Sequence, residues 1–214
     1  MENDYYVRSS CRVCGAGDLH QFLDLGMHPL SDAFVSGDEI ERNEEQFYPL
    51  SVHVCRECNH MQLVDVVSPR LLFPEEYALF SSASPALVEH FKGYAKEIHQ
   101  KFGKMENKFV VEVASNDGVL LSPMRELGFD VLGVEPATNT AEIARSLGIE
   151  VVGDFFSEEF SRKLDKEYGR AGIVTANNVL AHVDDPADFI RGVKHILDAD
   201  GVFVFEVQHG LELI

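Results

Sequence analysis

Five apolar segments alternate with four helical segments in the second half of the chain, and this alternation limits the fold more than any other feature of the sequence. The apolar segments are FVVEVA, DVLGVEP, IEVVGDFF, AGIVTANNVLAHV and GVFVFEV. The helical segments are Leu121–Leu127, Ala137–Leu147, Glu158–Lys166 and Pro186–Leu197. Continuous apolar strands are buried on both faces, and strands that alternate with helices form a parallel sheet. The sequence therefore predicts an α/β fold in which helices cover both faces of a parallel sheet.

All the cysteines of the chain fall in two C-x-x-C pairs. They are Cys11, Cys14, Cys55 and Cys58. Two residues between two thiolates let one tight turn present both sulfurs to one ion, and two such turns complete a tetrahedral zinc site. Four thiolates leave no open position on the metal, so the pattern predicts a structural zinc. His53 and His60 flank the second pair, and we interpret them as surface or supporting residues rather than ligands.

Two other uses of these cysteines, disulfide bonds and a redox-active pair, fit the sequence less well. The first residues, MENDYYVRSS, lack the charged and apolar pattern of a secretion signal. We therefore expect a cytoplasmic protein whose thiols stay reduced. A thioredoxin-like redox motif would need a C-x-x-C pair beside a β-α-β unit, and neither pair has one.

The charge balance argues against several classes of partner. The chain carries 18 basic and 36 acidic residues, a net charge of −18. Nucleic acids and anionic membranes attract a basic face. No apolar run reaches the roughly 18–20 residues of a membrane span. We therefore predict neither a nucleic-acid partner nor a membrane partner.

The pattern divides the chain into three parts. Residues 1–70 are predicted to form a small zinc-binding domain, with a turn-rich stretch at Leu25–Phe34 and a strand at Phe47–Cys55. A unit this short has little core and needs a staple such as a metal ion. Residues 71–105 are predicted to form a helical connector between the two halves, and residues 106–214 to form the sheet domain.

The connector contains a helix that is predicted to run from Ser84 to Phe102. Ser84 can cap its N-terminus, and Pro85 suits its first turn. Apolar residues recur at helical spacing along one face, and we interpret them as core. They are Leu87, Val88, Phe91, Tyr94, Ala95, Ile98 and Phe102.

The loop Ala114–Gly118 follows the first strand of the predicted sheet, at the edge where ligands of such sheets bind. A dinucleotide pyrophosphate requires G-x-G-x-x-G, but this loop reads A-S-N-D-G. A bulkier turn that carries an acid suits a cofactor without phosphates. S-adenosylmethionine is such a cofactor, and it carries an ammonium and a sulfonium. The loop therefore predicts an S-adenosylmethionine site and disfavours the alternative, a nicotinamide cofactor in an oxidoreductase of sugars.

Acidic residues follow three successive strands of the predicted sheet. Asp117 lies in the first loop, Glu135 ends the second strand and Asp154 follows the third. Glu135 can accept both ribose hydroxyls of an adenosine. Asp154 can accept the adenine amino group, with Phe155 against the ring. The predicted cofactor-binding residues are Glu112, Ala114, Asn116, Asp117, Gly118, Glu135, Pro136, Asp154, Phe155 and Asn177.

Motifs along nearly the whole chain resemble those of the zinc-containing, S-adenosylmethionine-dependent C-methyltransferases that act on nucleotide-linked deoxysugars. The matching stretches are CRVCG, LDLGMHPLSDAF, CNHMQL, EEYALFSSASPALVEHF, EVASNDGVLL, GVEPA, GDFF and NNVLAHVDDP. The resemblance implies the class I methyltransferase fold, a Rossmann-like parallel sheet, preceded by the zinc-binding domain. It also implies methylation of a carbon next to the keto group of a nucleotide-diphospho-4-keto-deoxysugar, through an enolate that attacks the methyl group in line.

The same resemblance implies the catalytic residues. Tyr77 matches a tyrosine of the family's active-site block, and His182 matches a histidine that faces the sugar in relatives. Leu79 replaces a second aromatic position of that block, so contacts with the sugar can differ. Ser81, Ser82 and Ser84 are candidates for contact with the cofactor carboxylate or the diphosphate, and Ser84 is equally a candidate for the helix cap. Taken without the resemblance, His182 is interpreted as a surface histidine and Tyr77 as an aromatic residue between domains.

Members of the resembled family continue beyond the position that matches Ile214, with a tyrosine–x–glutamate–histidine cluster and further strands. The resemblance therefore implies that the usual general base and the last strands are missing here, which leaves GVFVFEV without a neighbour on one side. Three interpretations follow. The chain is a shortened form of a full enzyme, one half of a split enzyme completed by a protein partner, or a zinc- and S-adenosylmethionine-binding module without turnover.

Overall fold

The computed structural model describes residues 4–34, 36–37 and 45–209 of the chain. The chain divides into two compact units, Met1–Pro74 and Glu75–Ile214, and each unit is described by itself. The last five residues of the predicted sheet domain, 210–214, lie outside the described residues.

The first unit is built from antiparallel strands. Its elements are β1 (Tyr5–Val7), β2 (Leu19–Pro29), β3 (Phe47–Cys55), β4 (Met61–Leu63), β5 (Asp65–Val67) and the short helix α1 (Pro69–Leu72). Strands β2, β3 and β4 form one sheet in that order, and β1 pairs with β5. The strand predicted at Phe47–Cys55 is confirmed.

The turn-rich stretch predicted at Leu25–Phe34 is wrong for its first half, because Leu25–Pro29 belongs to strand β2. Gly26 has a φ of +81° and lies where the pairing with β3 shifts, between Asp24 and Met27. Such a shift is a β-bulge, and a bulge admits a glycine in this conformation. The proline ends an edge strand, where prolines are tolerated. Gly26 and Pro29, which suggested a turn, therefore belong to strand β2.

The second unit holds a parallel sheet covered by helices, as predicted. Its strands are β6 (Phe109–Val113), β7 (Asp130–Val134), β8 (Glu150–Val152), β9 (Ala171–Asn177) and β10 (Leu197–Glu206). Its helices are α2 (Pro85–Phe102), α3 (Leu121–Glu126), α4 (Thr138–Ser146), α5 (Glu158–Tyr168) and α6 (Pro186–Ile196). The strand order is β10-β9-β6-β7-β8, and every pairing is parallel. Strand β6 pairs with β7 on one side and with β9 on the other, so the strand order reverses at β6. Ligands of such sheets bind at the C-terminal ends of the strands where the order reverses, which is where the loop after β6 lies.

Alternate residues of the strands pack against helices on opposite faces of the sheet. Val110 of β6 packs in one cluster with residues of α2, α3 and α4, including Ile98 and Met124. Val111 packs in a second cluster with residues of α5 and α6, including Leu164. Each fully buried side chain of this size contributes roughly 1.5–3 kcal/mol. The two clusters fix the strand ends that carry the site.

Helix α2 begins and ends where the sequence predicts. The Ser84 hydroxyl accepts the Leu87 N–H, and Pro85 occupies the first turn. Phe91, Ala95 and Ile98 are buried, as expected for the apolar face. Leu87 was wrongly placed in the core, because its side chain in the first turn is 40% exposed.

Three strands have boundaries that differ clearly from the prediction. Strand β8 is shorter than the predicted segment IEVVGDFF and ends at Val152. Strand β9 ends at Asn177 rather than at Val183, because Asn178 takes a φ of +56° and donates its N–H to the Glu206 carbonyl. Strand β10 begins at Leu197, directly after α6, and contains a register shift before Val202.

Among the described residues, strand β10 pairs only with β9, and so it forms one edge of the sheet. Phe205 and the following Val207 are 48% and 40% exposed. An apolar edge strand can pair with a further strand, whether of the same chain or of another.

Candidate functional site

The four cysteines of the first unit lie within one cluster. Their sulfur atoms all lie within 4.8 Å of one another. The Sγ atoms of Cys11 and Cys58 are 3.7 Å apart, and those of Cys14 and Cys55 are 3.6 Å apart. A disulfide would bring two sulfurs to about 2 Å, whereas tetrahedral zinc with Zn–S bonds of about 2.3 Å separates its sulfurs by about 3.8 Å. The sulfur positions fit zinc and not disulfides.

The two C-x-x-C turns have the same local structure. The Gly15 N–H donates to the Cys11 carbonyl at 2.8 Å, and the Asn59 N–H donates to the Cys55 carbonyl at 2.8 Å. Gly15 and Asn59 each take a left-handed backbone, with φ of +77° and +60°. Glycine and asparagine are the residues that adopt this conformation most readily. Each turn is therefore closed by the residue directly after its second cysteine.

The thiols act on one another strongly. Burial raises the pKa of Cys11, but hydrogen bonds from the backbone of Cys14 and Val13 and from neighbouring thiols outweigh it and lower that pKa to about 6. A backbone hydrogen bond near His60 lowers the pKa of Cys58, yet burial and the neighbouring thiols raise it to about 12. Four thiols this close can all lose their protons only when a cation lies among them. Within the described residues, His53 and His60 do not join the cluster.

The loop after β6 contains three residues with left-handed backbone. They are Ala114, Asn116 and Gly118, with φ of +55°, +48° and +80°. A Cβ atom added to Gly118 would lie 2.6 Å from the Cδ1 atom of Ile149, so any other residue would have to displace that side chain and adopt a strained backbone. Alanine adopts this conformation at a cost, and such strain concentrates at functional sites.

Three carboxylates are buried around this loop. Glu112, Asp117 and Glu135 are 4%, 1% and 5% exposed. Burial raises the pKa of Glu112 well above its ordinary value. The Asn177 amide opposes this, and the charges of Glu135 and Asp117 raise the pKa further. Neither polar atom of the Asn177 side chain has hydrogen-bond geometry with a described residue, so burial and like charge dominate.

Glu135 connects the loops after β6 and β7. Its Oε2 atom accepts the Asn116 N–H at 2.8 Å, and its Oε1 atom accepts the Ala137 N–H at 2.9 Å. Burial raises the pKa of Glu135, and these two hydrogen bonds oppose that rise. Each carboxylate oxygen has two lone pairs, so each retains one acceptor position for a hydroxyl.

Besides the two polar atoms of the Asn177 side chain, four buried polar atoms near the loop have no hydrogen-bond partner among the described residues. They are Glu112 Oε2, Ser115 Oγ, Asp117 Oδ1 and Thr175 Oγ1. Glu112 and Thr175 lie opposite each other in the pairing of β6 with β9. Buried polar groups normally have partners, so this cluster suits a ligand that brings donors and positive charge. An ammonium and a sulfonium do so, whereas a pyrophosphate would add negative charge. The residues therefore fit S-adenosylmethionine.

The segment Glu75–Ser82, here called the strap, lies against the start of α4. The Glu75 carbonyl accepts the Thr138 N–H at 2.8 Å. The Asn139 side chain holds the backbone of Tyr77 at both polar groups: its Oδ1 atom accepts the Tyr77 N–H at 3.1 Å, and its Nδ2 atom donates to the Tyr77 carbonyl at 2.8 Å. This contact joins residues that are 62 positions apart.

The strap also contacts the loop after β6. The Asn116 side chain accepts the Ser81 N–H at 2.9 Å and donates to the Leu79 carbonyl at 3.0 Å. The Oδ2 atom of Asp117 accepts the Ser82 N–H at 2.9 Å. The predicted cofactor residues Asn116 and Asp117 therefore bind the strap, in addition to any contact with a ligand.

The remaining predicted residues lie at the same edge of the sheet. Pro136 follows Glu135 and is half-buried, and Asn177 ends β9. Asp154 and Phe155 follow β8; Asp154 is exposed, and its Oδ1 atom accepts the Phe155 N–H at 2.8 Å. The buried acidic cluster therefore consists of the carboxylates at β6 and β7, and Asp154 is not part of it.

The two predicted catalytic residues lie in irregular segments. Tyr77 is half-buried in the strap. His182 lies in the turn after β9, where its N–H donates to the Val179 carbonyl at 2.8 Å. Its side chain is exposed, yet protein atoms surround the imidazole closely enough that desolvation lowers the pKa of His182. The imidazole is therefore mostly neutral at pH 7 and can accept a proton.

Sequence reasoning missed Thr175 and Asn139. A threonine inside an apolar strand is a weak signal, because most such residues pack structurally. Asn139 carried no signal, since its role depends on a contact with a distant segment.

A cleft beside α5 and α6 is lined mainly by basic side chains. Its lining residues are Glu158, Arg162, Arg170, Arg191, Lys194 and His195. Glu158 pairs with Arg162 at 2.6 Å and with Arg191 at 2.7 Å, and these pairs lower the pKa of its carboxyl. One carboxylate therefore pairs with two of the arginines that line the cleft. Across the residues that the structure describes, we find no helix with the length and apolar character that a membrane crossing requires.

Comparison with known proteins gives two family matches and several relatives. Residues 11–73 match a zinc binding domain, and residues 87–212 match a methyltransferase domain. The C-methyltransferase NovU of Streptomyces niveus is 33% identical over 204 residues, which make up 95% of this chain and 48% of that protein. A ubiquinone biosynthesis O-methyltransferase of Bordetella avium is 27% identical over 110 residues, 50% of this chain and 46% of that protein. The chain spans about half the length of these relatives.

One solved structure with a similar backbone is a SAM dependent methyltransferase from Archaeoglobus fulgidus. It is 15% identical to this chain with a TM-score of 0.49, and the match covers 57% of this chain and 54% of that one.

Proposed function

Because this chain belongs to the methyltransferase domain family, we propose that it is an S-adenosylmethionine-dependent C-methyltransferase of a nucleotide-diphospho-4-keto-deoxysugar. The family matches and the sheet order confirm the predicted class I methyltransferase fold with an N-terminal zinc-binding domain, and they confirm the predicted enzyme class. The finer assignment is supported by the similarity to NovU along 95% of this chain.

The observation that carries the proposal is the buried acidic cluster at the end of β6. Glu112, Asp117 and Glu135 are buried around a loop that lacks the G-x-G-x-x-G motif of dinucleotide-binding proteins. Glu112 and Asp117 each have a side-chain oxygen without a hydrogen-bond partner among the described residues. S-adenosylmethionine supplies an electrophilic methyl group on a sulfonium. The acidic cluster binds the positive end of this cofactor, and Glu135 accepts the ribose hydroxyls. Asp154 and Phe155, one strand further along, contact the adenine.

The sugar side of the site is formed by the strap and the turn after β9. Removal of the proton next to the keto group leaves an enolate, whose carbon is the nucleophile. Tyr77 orients the sugar and donates a hydrogen bond to the enolate oxygen. The neutral imidazole of His182 accepts the proton that leaves the carbon next to the keto group.

The proposal is tested by calorimetry and by methyl transfer. We expect the chain to bind S-adenosylmethionine and not NAD, and a methyl group to appear on carbon rather than oxygen when a nucleotide-diphospho-4-keto-deoxysugar is supplied. A folded protein that binds NAD in place of S-adenosylmethionine would refute the cofactor assignment. Binding without transfer to any keto-sugar would leave two interpretations, a non-catalytic module or an enzyme that needs a further segment or a protein partner for turnover. Methyl transfer to oxygen would refute the C-methylation assignment.

A further inference from the structure

The strap contains little regular structure of its own. Between Glu75 and Phe80 it has no helix or strand, and a single 3-10 turn follows at Ser81–Ala83. The backbone of Tyr77 is therefore not fixed by a ladder or a helix. Its polar groups are instead bound by one side chain, that of Asn139. The Asn139 amide accepts from the N–H and donates to the carbonyl of one residue, as the backbone of a neighbouring strand would. It therefore fixes the main chain of Tyr77 on both sides of its Cα atom.

Asn139 is itself held in place. It lies in the first turn of α4, and its Oδ1 atom also accepts the Thr140 N–H at 2.9 Å. Two residues earlier, the Ala137 N–H is bound by Glu135 Oε1 at 2.9 Å. The carboxylate assigned to the ribose and the amide that fixes Tyr77 are therefore carried by one short turn. A displacement of this turn would move both together.

We propose that Asn139 is a positioning residue that sets Tyr77 relative to the cofactor site. It touches neither substrate nor cofactor; it acts through the main chain of Tyr77. The catalytic part of this inference rests on the proposed function, since it takes Tyr77 to orient the sugar. The structural part, that Asn139 fixes the strap, rests on the hydrogen bonds alone.

Asn107 provides a matched control for this inference. Its side chain also makes three hydrogen bonds: it donates to the Arg170 carbonyl at 2.9 Å and to Asp198 at 3.0 Å, and it accepts the Phe109 N–H at 3.0 Å. It precedes β6, so it lies at the N-terminal ends of the strands, whereas the site lies at their C-terminal ends. Asn139→Ala and Asn107→Ala therefore remove equal numbers of hydrogen bonds at the two ends of the sheet.

Hydrogen exchange of the Tyr77 amide measures the contact directly. We expect Asn139→Ala to speed exchange at Tyr77 by at least about tenfold, the effect of losing one hydrogen bond worth ~1.4 kcal/mol, and Asn107→Ala to leave it unchanged. We expect Asn139→Ala to lower kcat by about 10- to 100-fold, because small misplacement of a positioning group is costly. Affinity for S-adenosylmethionine is expected to stay within about threefold, since the acidic cluster is intact.

Asn139→Asp covers the case in which the alanine variant fails to fold. It keeps the acceptor for two N–H groups but places a carboxylate against the Tyr77 carbonyl, so a lower kcat with native stability supports the proposal. Equal loss of kcat in Asn139→Ala and Asn107→Ala, or unchanged exchange at Tyr77, would overturn it. If the unaltered protein neither binds S-adenosylmethionine nor transfers methyl groups, the proposed function fails, while the exchange comparison still decides whether Asn139 fixes Tyr77.

Discussion

Glu112 and Thr175 lie opposite each other on β6 and β9, both buried, and each has a side-chain oxygen with no partner in the described part of the chain. Burial and the charges of nearby carboxylates raise the pKa of Glu112 well above its ordinary value. A raised pKa means that the folded chain binds this proton more tightly than the unfolded chain does. Its contribution to stability is therefore complete below the ordinary pKa and is lost as the pH rises through the raised one.

Replacing Glu112 by glutamine should raise the thermal stability of the protein and weaken its binding of S-adenosylmethionine. The neutral amide removes the cost of a buried charge, so we expect the melting temperature to rise at pH 8, by about 3 °C for each kcal/mol regained. At pH 4 the two proteins should melt alike. Affinity for S-adenosylmethionine should fall at least roughly tenfold, because a hydrogen bond to a charged group is worth about 1.5–3 kcal/mol. Calorimetry at both pH values checks this, and an equal shift at pH 4 and pH 8 would contradict it.

Glu135 should contribute to stability as well as to binding. Glu135→Ala leaves the Asn116 and Ala137 N–H groups without acceptors, which should lower the free energy of unfolding by about 2–4 kcal/mol. Glu135→Gln keeps one acceptor and should lose less. The exposed Asp154 offers the control, since Asp154→Ala should change stability by less than about 0.5 kcal/mol. Urea denaturation measures all three, and equal losses for Glu135→Ala and Asp154→Ala would contradict the role of Glu135 in joining the two loops.

Metal analysis should find one zinc per chain, bound by cysteines alone. Cys55→Ser should lose the metal, whereas His60→Ala should retain it, because the histidine lies outside the sulfur cluster. A chelator should melt the first unit and leave the sheet of the second unit intact, since zinc supplies what the small core cannot. Elemental analysis and circular dichroism measure these effects. Loss of zinc from His60→Ala would show that the ligand set is different.

The edge strand β10 should drive self-association at high concentration. Phe205→Lys places a charge on an exposed apolar edge, a change that blocks edge pairing. We expect it to lower the associated fraction in sedimentation, while Lys substitution of the exposed Phe34 in the first unit should have less effect. Association that responds equally to both changes would place the contact elsewhere.

The sequence predicted the parallel sheet well because its signals are local and repeated. Every predicted strand of the second unit exists, and α2 begins and ends as expected, because Ser84 and Pro85 act within one turn. The boundary of β9 was missed because it depends on Asn178 adopting a left-handed backbone against Glu206, 28 positions away. In β2, Gly26 indicated a turn but occupies a bulge, since pairing with β3 decides its use.

The sequence indicated the buried acids Asp117 and Glu135, but it also suggested the exposed Asp154, and it did not indicate the contacts that these residues make. The acids at the strand ends could be read from the sequence because parallel strands bring their carboxyl ends together. Asn116 binds the strap from the loop after β6, and Asn139 binds it from α4. Both contacts depend on where residues 75–82 fold back. The spacing of apolar residues in the sequence does not indicate where this segment folds back.

Five side-chain hydrogen bonds from the loop after β6 and from α4 attach the strap by its main-chain groups. Asn116, Asp117 and Asn139 bind amide and carbonyl groups of Tyr77, Leu79, Ser81 and Ser82, and none of these contacts requires a particular strap side chain. Exchange of Leu79 for an aromatic residue can therefore alter the surface that we propose binds the sugar, while the attachment persists. Variation in nature or in the laboratory can retune which acceptor the protein prefers without rebuilding its cofactor pocket.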